Sequence, residues 1–204
     1  MNEPLWVHVV DDEAAVRDSL RWLLESVGLH VRTHAEGEAF LAAYRPGETG
    51  CVLLDIRMPG LSGIEVLERM QQMDGEVPVI VFTGHADVPL AVRAMRLGAF
   101  DFIEKPYSDS LLLERVQRAL GQRRRRRERE LAVQKTREAF ERLSPRERQV
   151  LAHVLEGHSN KRIAEALCLS VKTIEVHRAS LMQKMDARSL AELVRRVVEA
   201  GLQP

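Results

Sequence analysis

The chain has 204 residues, 45% apolar, 29% charged and only 4% aromatic, enough aliphatic material for one large core or two small ones. No apolar run approaches a membrane span, Trp6–Val10 runs into Asp11-Asp12-Glu13 where a signal peptide would stay apolar, and Cys51 and Cys168 build no disulfide framework or metal site; a reduced, soluble, cytoplasmic protein without a membrane partner is expected. The net charge of zero hides a split: residues 1–120 carry 11 Lys and Arg against 19 Asp and Glu, a balance of −8, and residues 121–204 carry the reverse, +8. Such a split predicts two domains with different partners, one able to hold a cation and one able to meet a polyanion.

In chain order, Trp6–Val10 reads as a buried strand, and Glu13–Val27 as a helix with Val16, Leu20, Leu23, Leu24 and Val27 on one face and Gly28 as its stop. A strand His30–Thr33, a helix Glu36–Tyr44, a strand Cys51–Leu54 ending in Asp55 and a helix Ile64–Met73 follow. Then come a strand Val77–Phe82, a helix Asp87–Leu97, a strand Phe100–Ile103 and a helix Asp109–Leu120. Five β/α repeats predict an α/β fold, a doubly wound five-stranded parallel sheet whose C-terminal strand ends share one ligand-binding edge. Gln122–Glu130, with Arg123 to Arg127 in succession, reads as a linker or an exposed extension of the preceding helix, more a solvated spacer than a DNA arm. From Leu143 the pattern is all-α. Ser144 and Glu147 form a capping box with Pro145 at the first helical position, and Gly157 ends that helix. Asn160–Leu167 is short, Cys168-Leu169 make a turn, Ser170 caps Val171–Met185, and Ser189–Ala200 is the last helix. The predicted boundaries are a first domain at 1–120, an Arg-rich helical linker at 121–138, and a second, smaller all-α domain at 139–204.

Asp11, Asp12, Asp55, Thr83 and Lys105 all fall on the ligand edge of the predicted sheet. Converging carboxylates are tolerable around a hard divalent cation, and a carboxylate is a competent nucleophile towards phosphorus. A Lys ammonium and a Thr hydroxyl suit the oxygens of a transferred phosphoryl group. No phosphate-binding glycine loop is present, so the phosphoryl donor comes from elsewhere.

The segments Val9-Val10-Asp11-Asp12-Glu13, Leu53-Leu54-Asp55-Ile56-Arg57-Met58-Pro59-Gly60, Val81-Phe82-Thr83-Gly84 and Phe102-Ile103-Glu104-Lys105-Pro106 resemble the receiver domain of two-component response regulators, a flavodoxin-like fold. The resemblance implies that Asp55 is the phosphoacceptor and that Mg²⁺ is the cofactor. By the same resemblance the ion would be held directly by Asp12 and Asp55, through water by Asp11, and by the Arg57 backbone carbonyl. Thr83 and Lys105 would contact the phosphoryl group, and Lys105-Pro106 would be a cis peptide. Phe102 stands at the family's switch-aromatic position without a hydroxyl, and plain core packing explains it equally well.

A helix, a short helix, a turn and a longer helix make a helix-turn-helix. In Val171–Met185, Ile174, Leu181 and Met185 form a core face, while Lys172, Glu175, Val176 and Ala179 point away from it. Lys161, Arg162, Lys172, Arg178 and Lys184 suit phosphates, which anchor without specifying sequence. Leu143-Ser144-Pro145-Arg146-Glu147, Gly157-His158-Ser159-Asn160-Lys161, Ile163-Ala164, Leu167, Ser170, Thr173-Ile174, Val176-His177 and Lys184-Met185 resemble the LuxR/NarL-type helix-turn-helix, and the whole chain resembles FixJ-type regulators. That implies base contacts near Glu175, Val176 and Ala179 and backbone contacts from Lys161, Thr173, His177 and Arg178, with a buried structural role open for His177.

The resemblance further implies a sensor histidine kinase as phosphoryl donor and double-stranded promoter DNA as target. It also implies a homodimer formed on phosphorylation through the helix Asp87–Leu97 and strand Phe100–Ile103, with RNA polymerase a candidate partner. No enzyme activity is expected beyond slow self-dephosphorylation. Two rivals stand beside this reading: a phosphatase or phosphomutase using the Asp nucleophile, and an adaptor that binds partners without DNA. His8, His30, His34, His85, His153 and His158 show no metal-ligand spacing in the sequence.

Overall fold

Alternating side chains along five parallel strands feed two separate apolar layers. The computed structural model describes residues 5–73, 75–84 and 88–203. Its elements are β1 (Trp6–Val10), α1 (Ala14–Ser26), β2 (His30–His34), α2 (Gly37–Ala43), β3 (Thr49–Asp55), α3 (Gly63–Met73), β4 (Val79–Thr83), α4 (Val88–Arg96), β5 (Asp101–Glu104), α5 (Asp109–Glu141), α6 (Pro145–Leu155), α7 (Asn160–Leu167), α8 (Val171–Lys184) and α9 (Leu190–Glu199). Two compact units are present, Met1–Arg126 and Arg127–Pro204.

In the first unit the sheet order is β2-β1-β3-β4-β5, all pairs parallel. Because successive side chains point to opposite faces, Val10, Val52, Leu54, Val79 and Val81 pack with α2, α3 and Ala94 of α4 on one side. Val7, Val9, Cys51, Leu53, Ile80 and Phe82 pack with Leu20 and Leu24 of α1 and Leu112, Val116 and Ala119 of α5 on the other. Burial on both faces explains why β3 and β4 read as continuous apolar runs. Register pairs Val10 with Leu54, Asp55 with Phe82, and Thr83 with Glu104, so the strand ends finish level.

One residue departs from the expected pattern of α1. Val27, assigned to the buried face of α1, is 46% exposed because the helix ends at Ser26. Asp87 and His85 lie outside the described residues, and α4 is described from Val88. The helix read over Asp109–Leu120 continues to Glu141 through the arginine run, the extension that the sequence left open beside a linker. Arg, Glu and Gln are strong helix formers, and one Gly at 121 costs only about 1 kcal/mol. The run is also not wholly solvated. Arg123 is 4% exposed, donates to the Pro46 carbonyl at 3.1 Å and lies 3.8 Å from Glu76, which Arg126 also engages.

The second unit packs Val150, Leu151 and Val154 of α6, Ile163 and Ala164 of α7, Ile174 and Leu181 of α8, and Leu193 and Val197 of α9 into one core, with Ala139 from α5. Four serines start its helices. Ser144 forms the capping box with Glu147, and Ser159, Ser170 and Ser189 accept from the backbone N–H groups of Arg162, Thr173 and Glu192. Cys168, exposed and left-handed at φ 53°, makes the turn between α7 and α8.

Glu147 does more than cap. Its carboxylate is buried and accepts from Ser180 Oγ at 2.6 Å, Lys184 Nζ at 2.7 Å and the Ser144 N–H at 2.7 Å. Burial alone would raise its carboxyl, but the bonds from Lys184, Ser180 and Ser144 outweigh this and hold it down at about 2. A carboxylate lowered in the folded state contributes stability above its unfolded value of 4.5 and loses it as pH falls towards 2. Replacing Glu147 with Gln should therefore cost the helical unit about 2–4 kcal/mol at neutral pH. The gap to wild type in thermal melts should narrow as pH drops below 4.

Candidate functional site: a two-carboxylate, one-ammonium pocket and an exposed helix

Asp11 follows β1 directly, Asp55 closes β3, Thr83 closes β4 and Lys105 follows β5. The level strand ends bring them to one edge. The Lys105 ammonium lies 2.9 Å from Asp11 Oδ2 and 2.9 Å from Asp55 Oδ1. Asp11 and Asp55 are buried, and Lys105 is partly so. The second oxygen of each carboxylate takes a backbone donor: Glu13 N–H on Asp11 at 2.8 Å and Arg57 N–H on Asp55 at 2.7 Å. The Lys105 N–H in turn donates to the Thr83 carbonyl at 2.9 Å, and Lys105-Pro106 is cis. Thr83 is fully buried.

Burial pushes the Asp55 carboxyl above its ordinary value. The bond and charge of Lys105 and the Arg57 N–H work against that rise, and the Asp11 charge adds to it. Burial would lower Lys105, but the two carboxylates prevail and raise it. Two buried carboxylates share one ammonium, so the pocket is one positive charge short. Asp12 is exposed beside them, with its carbonyl and that of Asp11 both held at 2.7 Å by the Arg17 guanidinium. Arg17 was not singled out by the sequence reading; a basic residue one turn into the helix after the strand was its only signal. Tyr107 was also missed. It packs edge-on against Phe82, whose ring lies 4.6 Å below the Lys105 ammonium.

Gly63 lets this edge close. A Cβ there would stand 2.0 Å from the Asp55 carbonyl oxygen, so the first turn of α3 can approach Asp55 only without a side chain. Phe102 is half-buried against the layer that contains Ala94 and Val81.

In the helical unit, α8 turns Ile174 and Leu181 inward and exposes Lys172, Glu175, Val176 and Ala179. Val176 is 59% exposed. Lys161 and Arg162 are exposed at the start of α7, while Thr173, His177 and Arg178 are half-buried. Arg178 donates to Asn160 Oδ1 at 2.9 Å, tying α8 to α7. Lys172 pairs with Glu175 at 3.2 Å. Lys184 pairs through its ammonium with buried Glu147 at 2.7 Å.

Residues 7–117 match the response regulator receiver domain, and residues 141–197 match the luxR family of bacterial regulatory proteins. The transcriptional regulatory protein FixJ of Azorhizobium caulinodans is 48% identical over 204 residues, 100% of this chain and 97% of that protein. The chain belongs to the FixJ-type response regulators. Among solved structures, this FixJ-type chain is similar to the response regulator StyR, with a TM-score of 0.84 at 40% identity, covering 96% of this chain and 99% of that one. It is similar also to full-length FixJ from B. japonicum, with a TM-score of 0.58 at 47% identity, covering 98% of each. The FixJ-type chain is thus a two-component response regulator with a receiver domain and a LuxR-type helix-turn-helix DNA-binding domain. Among the described residues, no helix is long and apolar enough to cross a membrane.

A raised carboxyl means that the folded state holds the Asp55 proton more tightly than the unfolded chain does. Ionisation of Asp55 therefore costs stability as pH rises from its unfolded value through its folded one. Asp55→Asn should relieve this at neutral pH. A gain of about 1 kcal/mol, or about 4 °C in the melting midpoint of the receiver unit, is expected by calorimetry.

Proposed function

We propose that Asp55 accepts a phosphoryl group from a partner histidine kinase and that this modification promotes receiver dimerisation and sequence-specific promoter binding, controlling transcription. The observation that carries the reading is the Lys105 ammonium 2.9 Å from both buried carboxylates, at the edge where all the strands end. An Asp55 oxygen attacks phosphorus, the P–N bond to the kinase imidazole breaks, and the leaving nitrogen takes a proton. Lys105, already in contact with Asp55, neutralises the new oxygens, and the Thr83 hydroxyl hydrogen-bonds one of them. The Arg57 N–H orients the attacking carboxylate.

The donor set fits Mg²⁺: hard oxygens from Asp11, Asp12 and Asp55 and the Arg57 carbonyl, in a pocket short of positive charge. When bound, the ion supplies charge neutralisation at the phosphoryl oxygens. We assign the receiver to residues 1–120, the Arg-rich connection to 121–138 and the DNA-binding domain to 139–204. Supporting dimerisation, the described part of α4 leaves Val88, Val92 and Met95 exposed at 76%, 43% and 48%. On the duplex, Glu175, Val176 and Ala179 meet base edges, and Lys161, Lys172, Thr173, His177 and Arg178 meet the backbone. RNA polymerase is a further candidate partner of the DNA-bound protein. The protein acts as a phosphoacceptor regulator in the cytoplasm rather than as an enzyme.

Wild-type protein incubated with a labelled small phosphodonor and Mg²⁺ should incorporate label at one site, and Asp55→Asn should incorporate none. Equal labelling of the two would reject the assignment. Phosphorylated protein should bind a selected duplex with a log K against log salt slope of about −5, for roughly six phosphates met per dimer. Val176→Ala and Glu175→Ala should alter sequence preference at unchanged slope, whereas Lys161→Ala should flatten it.

A further inference from the structure

The turn that ends α6 gathers three potential metal-ligating atoms, from His153, Glu156 and His158. Gly157, at φ 78°, lets the backbone reverse. The His158 N–H then bonds the His153 carbonyl at 3.0 Å, and the Gly157 N–H bonds the Val154 carbonyl at 3.1 Å. This closure usually stacks one apolar side chain on another five residues back. Here both positions are histidine. His153 Nδ1 and His158 Nδ1 lie 3.1 Å apart, and Glu156 Oε2 is 3.4 Å from the first and 3.2 Å from the second.

We propose that His153, Glu156 and His158 form a binding site for a late first-row divalent transition metal, Zn²⁺ being the probe of choice. The three potential ligand atoms lie 3.1 to 3.4 Å from one another, so a proton or a cation must sit among them. Their separations match one face of a tetrahedron, whose edges are about 3.3 Å for Zn–N bonds near 2.0 Å. Two imidazoles and one carboxylate are a borderline donor set that suits Zn²⁺ over Mg²⁺. The partial negative charge at the C-terminus of α6 favours a cation at this place. The histidine side chains are 25% and 19% exposed and Glu156 is 59% exposed, so the fourth position opens to water. The ion would staple the end of α6 to the residue before the Ser159 cap of α7, the two helices that precede the groove-facing helix.

The test is a titration of the full chain with Co²⁺, read by its visible ligand-field bands, and with Zn²⁺ by calorimetry, both in excess Mg²⁺ to occupy the receiver pocket. One Zn²⁺ per chain should bind outside that pocket. His153→Ala and His158→Ala should each weaken it by about tenfold or more, and Glu156→Gln, which leaves the backbone turn untouched, by several-fold. His30→Ala should change nothing. Zn²⁺ should raise the melting midpoint of the wild-type helical unit and not that of the His153→Ala/His158→Ala double variant. Equal affinity in wild type and double variant, with helix content retained by circular dichroism, would overturn the proposal. So would the absence of binding by wild type at about 100 μM Zn²⁺.

Discussion

One ammonium shared by two buried carboxylates organises the receiver unit. Lys105 reaches both Asp11 and Asp55 because β1, β3 and β5 finish level, and they finish level because the register of the parallel pairs leaves no strand overhanging. Taking charged groups out of water costs several kcal/mol each unless they are paired and hydrogen-bonded. The pocket meets that cost with backbone donors from Glu13 and Arg57 as well as Lys105, and remains one positive charge short. The Lys105 backbone is bonded in turn to Thr83, so the pocket and the end of β4 are joined.

The helical unit solves the same problem in the opposite sense. Glu147 is a single buried carboxylate with three donors, so its charge is fully satisfied and its role is structural. It fastens the start of α6 to the later turns of α8 through Ser180 and Lys184. The early turns of α8 make no such commitment. Lys172, Glu175 and Val176 stay exposed there, on a helix held from behind by Ile174, Leu181 and the Arg178–Asn160 bond. A helix anchored on one face and free on the other is what groove reading needs.

Most of this architecture was legible in the chain itself. Five strands, the capping box at Ser144 and Glu147, and the core face of α8 follow from local rules: apolar period, turn residues and helix caps read over windows of a few residues. The strand-end positions of Asp11, Asp55, Thr83 and Lys105 follow because a parallel sheet puts every strand's C-terminus on one edge. Arg123 defied its composition. A residue in a run of five arginines reads as solvated, and only the fold sets Pro46 and Glu76 beside it.

Sequence alone thus determined the two-part organisation, the five strands and the residues presented at the sheet edge, because these depend on periodicity and on the sign of charge. Tertiary structure decided which charges meet. It brought Lys184 to Glu147 and set Arg123 beside Pro46 and Glu76. The reason is one of range. An ion pair or a ligand cluster is fixed by distances of about 3 Å between atoms whose chain separation carries no signal, and only the packed backbone sets them.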